Sequence, residues 1–254
     1  LPRITIVIPT YNEAENLPKL VSALLSLPLP GLRLLIVDDH SPDGTGQIAD
    51  RLVAEYPKRI SVIHRSGKLG LRSAYLQGFK FAIDSGAEAI AQMDADFSHD
   101  PQALIAMASA IETHDIALGS RYVPGGGVDR RWSLWRKGLS AFGNFYARTI
   151  LGFPLRDVTT GFRLWRAEVL QNMPLDRIQS NGYIFLVEMA YMAYCLGYSF
   201  AQVPIYFADR KFGKSKMSLK IQIEAAFRVW QVRWNFRDLR SLGKKGRQAS
   251  SQQK

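Results

Sequence analysis

Met93-Asp94-Ala95-Asp96-Phe97-Ser98-His99 sets two carboxylates one residue apart at the end of the apolar run Ala89-Ile90-Ala91-Gln92-Met93. That run is short and bounded by Gly86 and the acidic pair, which predicts a buried strand. A buried strand that emits two anions at its C-terminal end must give them water, a cation or a substrate. Hard divalent cations such as Mg²⁺ take carboxylate oxygens and keep waters and substrate phosphates as other ligands. Asp-x-Asp at a strand end therefore points to a metal that holds a diphosphate, although the motif alone is common in loops.

Other polar residues stand at comparable places. Ile4-Thr5-Ile6-Val7-Ile8 is a β-branched run stopped by Pro9 and followed by Thr10-Tyr11, and Leu34-Leu35-Ile36-Val37 ends in Asp38-Asp39. Ile60–Ile63 is a third strand, and Ile116-Ala117-Leu118-Gly119 runs into Ser120-Arg121. Helices are expected over Glu13–Leu25, from the turn Ser41-Pro42-Asp43-Gly44 to Tyr56, and from Gly70 to about Ser85. A fourth is expected from an Asp100 N-cap, with Pro101 in its first position, to about Glu112. Alternating strands and helices with apolar strands predict an α/β fold, a Rossmann-like, mostly parallel sheet covered on both faces. Ligands of such sheets bind at the carboxyl ends of the strands, where all these polar residues gather.

The first turn has no G-x-G-x-x-G, and no Walker A sequence occurs, so neither device holds a nucleotide here. His40, His64, His99 and His114 lack metal-ligand spacing. The single cysteine, Cys195, lies among Met192, Tyr194 and Leu196 and reads as a packed core thiol. The 254 residues are 47% hydrophobic with a net charge of +11, so anionic membranes, phosphorylated substrates and nucleic acid are all admissible partners. Nucleic acid is not expected, because carboxylates gathered at strand ends repel phosphates unless a metal intervenes. Neither a signal peptide nor an apolar run long enough to span a bilayer is expected.

Pro9-Thr10-Tyr11-Asn12-Glu13, Val37-Asp38-Asp39-x-Ser41-Pro42-Asp43-Gly44-Thr45 and Asp94-Ala95-Asp96 together resemble the inverting GT-A glycosyltransferases of family 2. With Lys68-Leu69-Gly70-Leu71, Ala74, Gly78, Gly119-Ser120-Arg121-Tyr122, Asp157-Val158-Thr159-Thr160-Gly161-Phe162-Arg163 and Gly213-x-Ser215-Lys216, the chain is similar, from about Ile4 to Arg237, to dolichyl/polyprenyl-phosphate mannose synthases. The resemblance implies a GT-A fold and transfer of mannose from GDP-mannose to a polyprenyl phosphate with inversion. It implies that Pro9, Tyr11, Glu13, Val37, Asp39, Asp94 and Ala95 line the nucleotide site. Asp96 and Ser98 would hold Mg²⁺ or Mn²⁺, and Arg121, Arg210 and Lys216 would neutralise the diphosphate and the acceptor phosphate. Asp157 is read as positioning the acceptor loop, Glu188 as a buried partner for arginine, and His99 as ordering its loop.

Residues 1–207 are expected to form the catalytic domain, 208–240 a lid loop and C-terminal amphipathic helix, and 241–254 a disordered basic tail. Trp132, Trp135, Phe142, Phe145, Tyr146 and Ile150, with Arg130, Arg131, Arg136 and Lys137, mark one aromatic, basic segment. Leu219, Ile223, Ala226, Phe227, Trp230 and Trp234 share one face of a second, accompanied by Lys216, Lys220, Arg228, Arg233, Arg237 and Arg240. Such helices commonly lie in a membrane interface, so a peripheral location on the cytosolic face of a membrane is expected, with room for a membrane-anchored partner. Packing of both stripes against the sheet is the alternative. Glucose transfer from UDP-glucose and a non-enzymatic lipid-binding module are the competing functions.

Overall fold

The computed structural model describes residues 1–209 and 219–240, and for 219–225 the backbone only. Arg210, Lys216, the Gly213-x-Ser215-Lys216 motif and the expected basic tail lie outside the described residues.

Strands form where the β-branched and apolar runs stand. β1 (Ile4–Thr10), β2 (Arg33–Asp38), β3 (Ile60–His64) and β4 (Ala89–Gln92) pair in parallel in the order β3-β2-β1-β4. Parallel neighbours need crossovers, supplied by α1 (Leu17–Leu25), α2 (Thr45–Glu55) and α3 (Leu71–Asp84). α4 (Ala103–Ala110) leads to β5 (Ile116–Ser120), and a short β6 (Gly127–Val128) precedes α5 (Leu134–Leu151). β7 (Arg163–Arg166) inserts antiparallel between β4 and β5; α6 (Ala167–Asn172), α7 (Gly182–Leu196), β8 (Phe200–Pro204), β9 (Tyr206–Phe207) and α8 (Leu219–Asn235) follow. The sheet reads β3-β2-β1-β4-β7-β5-β8, with β6 and β9 as a separate parallel pair. It is mostly parallel, as expected.

Two apolar clusters cover the two sheet faces. Val7 and Leu35 pack with Tyr75, Phe79, Phe185 and Met189, whereas Ile6, Ile8 and Ile36 pack with Leu20, Ala49 and Met107. Cys195 is buried in the first cluster, as its neighbours suggest. Gly78 lets α3 approach β1: a Cβ there would stand 2.4 Å from Val7 Cγ1. Gly78→Ala should therefore lower the unfolding free energy by roughly 1–3 kcal/mol, read as a shifted urea midpoint.

Three boundaries depart from expectation. Pro9 does not end β1, which continues to Thr10; the β4 ladder stops at Val7, so the missing donor falls where β1 is paired on one side only. α1 starts at Leu17 because Glu13–Asn16 forms a turn, with Asn16 N and Leu17 N both donating to Glu13 O. α4 starts at Ala103 with Gln102 in the N-cap position, so Asp100 is not its cap; Asp100 Oδ1 accepts from Gln102 N at 3.0 Å and closes a turn before the helix.

α8 packs through Val229, Val232 and, just past its end, Phe236 and Leu239. Tyr146 of α5 donates to Ala226 O at 3.1 Å and accepts from Trp230 Nε1 at 3.0 Å. Arg177 grips Asp238 with both terminal nitrogens at 2.8 and 3.0 Å. The opposite face stays bare, with Phe227, Trp230 and Trp234 exposed beside Phe142 and Phe145 of α5. Trp132 departs from the expected stripe: it is buried edge-on against Phe207, with the Arg136 guanidinium 3.7 Å from its ring centre.

Candidate active site

After β1, β2 and β3 are laid down in one direction, β4 returns to the other side of β1. That reversal opens a crevice at the carboxyl edge between β1 and β4, the usual ligand position in open α/β sheets. Tyr11 stands on one lip and Asp94–Asp96 on the other. The backbone is bent hard here. Asn12, His40 and Phe97, which follow β1, β2 and β4, are the described non-glycine residues with positive φ, at 62°, 57° and 59°. Such conformations cost on the order of 1–3 kcal/mol each and gather at functional sites.

Asp38 holds the floor of the first two loops, and Asp39 faces the crevice. Asp38 Oδ1 accepts from Thr10 Oγ1 at 3.1 Å and Ser41 Oγ at 2.6 Å. Asp39 is buried against Arg65, whose Nη1 donates to Asp39 Oδ1 at 2.5 Å. Glu13 is ordered by Thr45 Oγ1, which accepts from its N–H at 2.9 Å, and by the Asn16 amide, which donates to Glu13 Oε2 at 2.8 Å. The Val37 side chain lies wholly in the core, so only its main chain can face a ligand. Ala95 is likewise buried, whereas Pro9, Tyr11 and Asp94 are half-buried.

Asp96 Oδ1 accepts from Ser98 N at 3.0 Å in a tight turn, and both residues are buried. Ser98 Oγ has no hydrogen-bond partner among the described residues. An orphaned hydroxyl beside a carboxylate suits a hard cation. Among the described residues no three His, Cys, Asp or Glu side chains gather to hold a metal alone, so diphosphate and water would have to complete its shell. His99 orders the loop: its Nδ1 accepts from Asp94 N at 3.3 Å, and its ring stacks on Phe162. Burial, against the pull of Asp94 and Asp96, lowers its pKa, so the imidazole is neutral and its lone pair is engaged.

Arg121, after β5, is not an open phosphate clamp. Nε donates to Asp157 Oδ2 and Nη2 to Asp157 Oδ1, both at 2.7 Å, and Nη2 also reaches Thr159 Oγ1 at 2.8 Å. Both side chains are buried, leaving Nη1 as the part of the guanidinium not committed to Asp157 or Thr159. Gly161 brings this loop to Asp94, whose Oδ2 would lie 3.6 Å from a Cβ on that glycine. Glu188 departs from its expected role: its carboxylate accepts from Ser180 N at 2.9 Å and Gln179 N at 3.5 Å, not from arginine. Buried Arg163 instead donates to three carbonyls, of Thr160, Leu186 and Val158, at 3.0, 2.6 and 2.9 Å. Burial brings its pKa down to about 9, so it keeps its charge at neutral pH and locks the Asp157–Gly161 loop.

Residues 5–173 match the model of glycosyl transferase family 2. The chain is 44% identical over 234 residues to a polyprenol monophosphomannose synthase of Mycolicibacterium smegmatis, covering 91% of this chain and 88% of that protein. This chain belongs to glycosyl transferase family 2. A second family member, the undecaprenyl-phosphate mannosyltransferase of Micrococcus luteus, is 43% identical over 91% of this chain and 93% of its own. In fold, the glycosyltransferase is similar to a Pyrobaculum calidifontis mannosyltransferase solved with GDP-Man and Mn²⁺, at TM-score 0.61 and 16% identity, over 87% of this chain and 61% of that one. It is also similar to glucosyl-3-phosphoglycerate synthase from Mycobacterium tuberculosis solved with Mn²⁺ and UDP, at TM-score 0.59 and 15% identity over 91% and 78%. These likenesses show the GT-A type of α/β fold.

Reading the residues alone missed Arg65 and Arg163. Arg65 follows strand β3 as Arg121 follows β5, and the same strand-end reasoning applied to β3 finds it, although β3 is the half-buried edge strand. Arg163 carries no such signal, because its partners are main-chain carbonyls.

Proposed function

We propose that this glycosyltransferase moves mannose from GDP-mannose to a polyprenyl phosphate with inversion, yielding a β-linked lipid phosphate sugar. The observation that carries the reading is the 44% identity, over nine-tenths of the chain, to a polyprenol monophosphomannose synthase, joined to an acidic strand end at the sheet's switch point. A second family member named for undecaprenyl phosphate supports the acceptor class.

In this reading Pro9, Tyr11, Glu13, the Val37 main chain and Asp39 receive the nucleoside, and Asp94 and Ala95 line the way to the diphosphate. Asp96 and Ser98 hold one divalent cation, Mg²⁺ or Mn²⁺, which when bound neutralises the leaving diphosphate. Arg121 Nη1 points positive charge at the same crevice while Asp157 fixes its plane. An oxygen of the acceptor phosphate forms a bond to the anomeric carbon as the bond from that carbon to the donor diphosphate breaks, and GDP leaves with the electron pair. The acceptor is already an anion at neutral pH, with a second pKa near about 6, so no base is required. The engaged lone pair of His99 agrees with that. Alignment and charge neutralisation then carry the rate.

The aromatic faces of α5 and α8 suit peripheral docking on an anionic membrane, where the lipid acceptor resides. Among the described residues no helix is long and apolar enough to cross a bilayer. Phe227 and Trp234, 70% and 67% exposed, would enter the headgroup region with Arg237 beside Trp234. Phe227→Glu with Trp234→Glu should abolish co-sedimentation with anionic vesicles while leaving the thermal midpoint unchanged. Undiminished sedimentation would contradict the docking.

The function is tested by offering labelled GDP-mannose, GDP-glucose, UDP-glucose and UDP-N-acetylglucosamine with polyprenyl phosphate and scoring label in the organic phase. GDP-mannose alone should give strong, metal-dependent label. Preferential label from UDP-glucose would replace the mannose reading.

A further inference from the structure

Lys68 lies in the loop that leaves β3, and its ammonium stands 3.8 Å from the centre of the Tyr11 ring. β2 separates the strands that carry these two residues, so the lysine reaches over the end of β2 to cover the aromatic face. The root of its loop is rigid. Arg65 N donates to Asp38 O at 2.9 Å, and Arg65 Nη1 reaches Gly70 O at 3.4 Å as well as Asp39. Arg65 Nη2 donates to Ser73 Oγ at 2.5 Å. Arg65 thereby ties the loop that carries Lys68 to Asp39, while Lys68 itself covers Tyr11. Lys68 is exposed and has no acidic partner among the described residues.

The sheet order assigns the two ends of a nucleotide lying across this edge. β3 and β4 are three steps apart, about 14 Å at the usual strand spacing. Asp96, after β4, marks the diphosphate end. A nucleotide with its diphosphate there and its base stacked on Tyr11, after the neighbouring strand β1, turns the far edge of that base toward the ends of β2 and β3, the side from which Lys68 reaches in. An ammonium not satisfied by a carboxylate seeks acceptors. Guanine turns two of them, O6 and N7, along one edge, whereas adenine replaces O6 with an amino donor. A planar base stacked on Tyr11 occupies the face that Lys68 covers, so the lysine has to move aside and meets that edge as it does.

We propose that Lys68 reads the O6/N7 edge of a guanine stacked on Tyr11, making the loop after β3 the element that sets base specificity. This rests on the nucleotide-sugar reading given above, and binding tests it independently of transfer. GDP, IDP and ADP are titrated calorimetrically, with Mn²⁺, into the full chain and its Lys68→Met and Lys68→Arg variants. IDP keeps O6 and N7, and ADP does not keep O6. Wild type should bind GDP and IDP more tightly than ADP. Lys68→Met should weaken GDP and IDP by about tenfold or more and ADP by less than twofold, with Lys68→Arg recovering part of the loss. An equal loss for all three would make Lys68 a phosphate contact or a loop brace and overturn the proposal. Unchanged GDP affinity, or wild-type ADP binding as tight as GDP, would overturn it too. A wild type that shows the Lys68-dependent preference and transfers no mannose would strike the functional reading and leave this one standing.

Discussion

Asp96→Ala should lower the turnover of lipid-linked mannose by about a thousandfold or more, several kcal/mol of lost charge stabilisation at the leaving diphosphate. The expectation comes from how few anionic groups stand at the end of β4. Asp94 and Asp96 are the carboxylates of that strand end, and the described residues hold no larger cluster to take over a cation. Asp96 also closes its own turn through Ser98 N, so the alanine variant could lose activity through loop collapse. Asp96→Asn separates the two causes. It keeps an oxygen for the Ser98 N–H and loses only the charge, and it should be equally inactive with an unchanged thermal midpoint. In both variants the thermal stabilisation that GDP and Mn²⁺ together give the wild type should disappear. Full activity in Asp96→Asn would refute the cation site.

Asp157→Ala should lower the unfolding free energy by roughly 3–5 kcal/mol, because it strands the buried guanidinium of Arg121. Removing one member of a buried ion pair costs far more than replacing both with apolar groups of similar volume. Arg121→Met combined with Asp157→Leu should accordingly recover most of the lost stability, measured by urea unfolding, and remain inactive in transfer. That pattern separates the two roles of the pair: fixing the loop from Asp157 to Gly161, which an apolar pair can replace, and presenting charge to the crevice, which it cannot. If the double variant were no more stable than Asp157→Ala, the pair would not be a closed unit. If it kept transfer activity, Arg121 would have no part in charge neutralisation.

The strands and the acidic crevice were legible because they depend on local order. A short apolar run followed by polar residues marks a strand end wherever it stands, and β1, β2, β4 and β5 all obey this. What was not legible depends on pairing across distance. Arg121 read as an open phosphate contact because Asp157, which occupies it, lies 36 residues on. Asp39 is expected in the nucleotide site, and its pairing with Arg65, 26 residues away, leaves no local trace in the sequence. Glu188 was paired with arginine on charge alone, whereas the backbone amides of residues 179 and 180 satisfy it. Pro9 seemed to stop β1 because its missing donor matters only where both neighbouring strands are present. The aromatic stripes were visible as periodicity, but burial removes Trp132 from the first, while the bare faces of α5 and α8 depend on which sides Leu151, Val229 and Val232 pack.

The anomeric configuration of the mannolipid made from GDP-mannose and polyprenyl phosphate tests the central claim most directly. Attack by the acceptor phosphate from the side opposite the leaving GDP predicts a β-linked product, read from the one-bond carbon–hydrogen coupling at the anomeric position. An α-linked product would require a second displacement that this crevice is not proposed to perform, and would contradict the account.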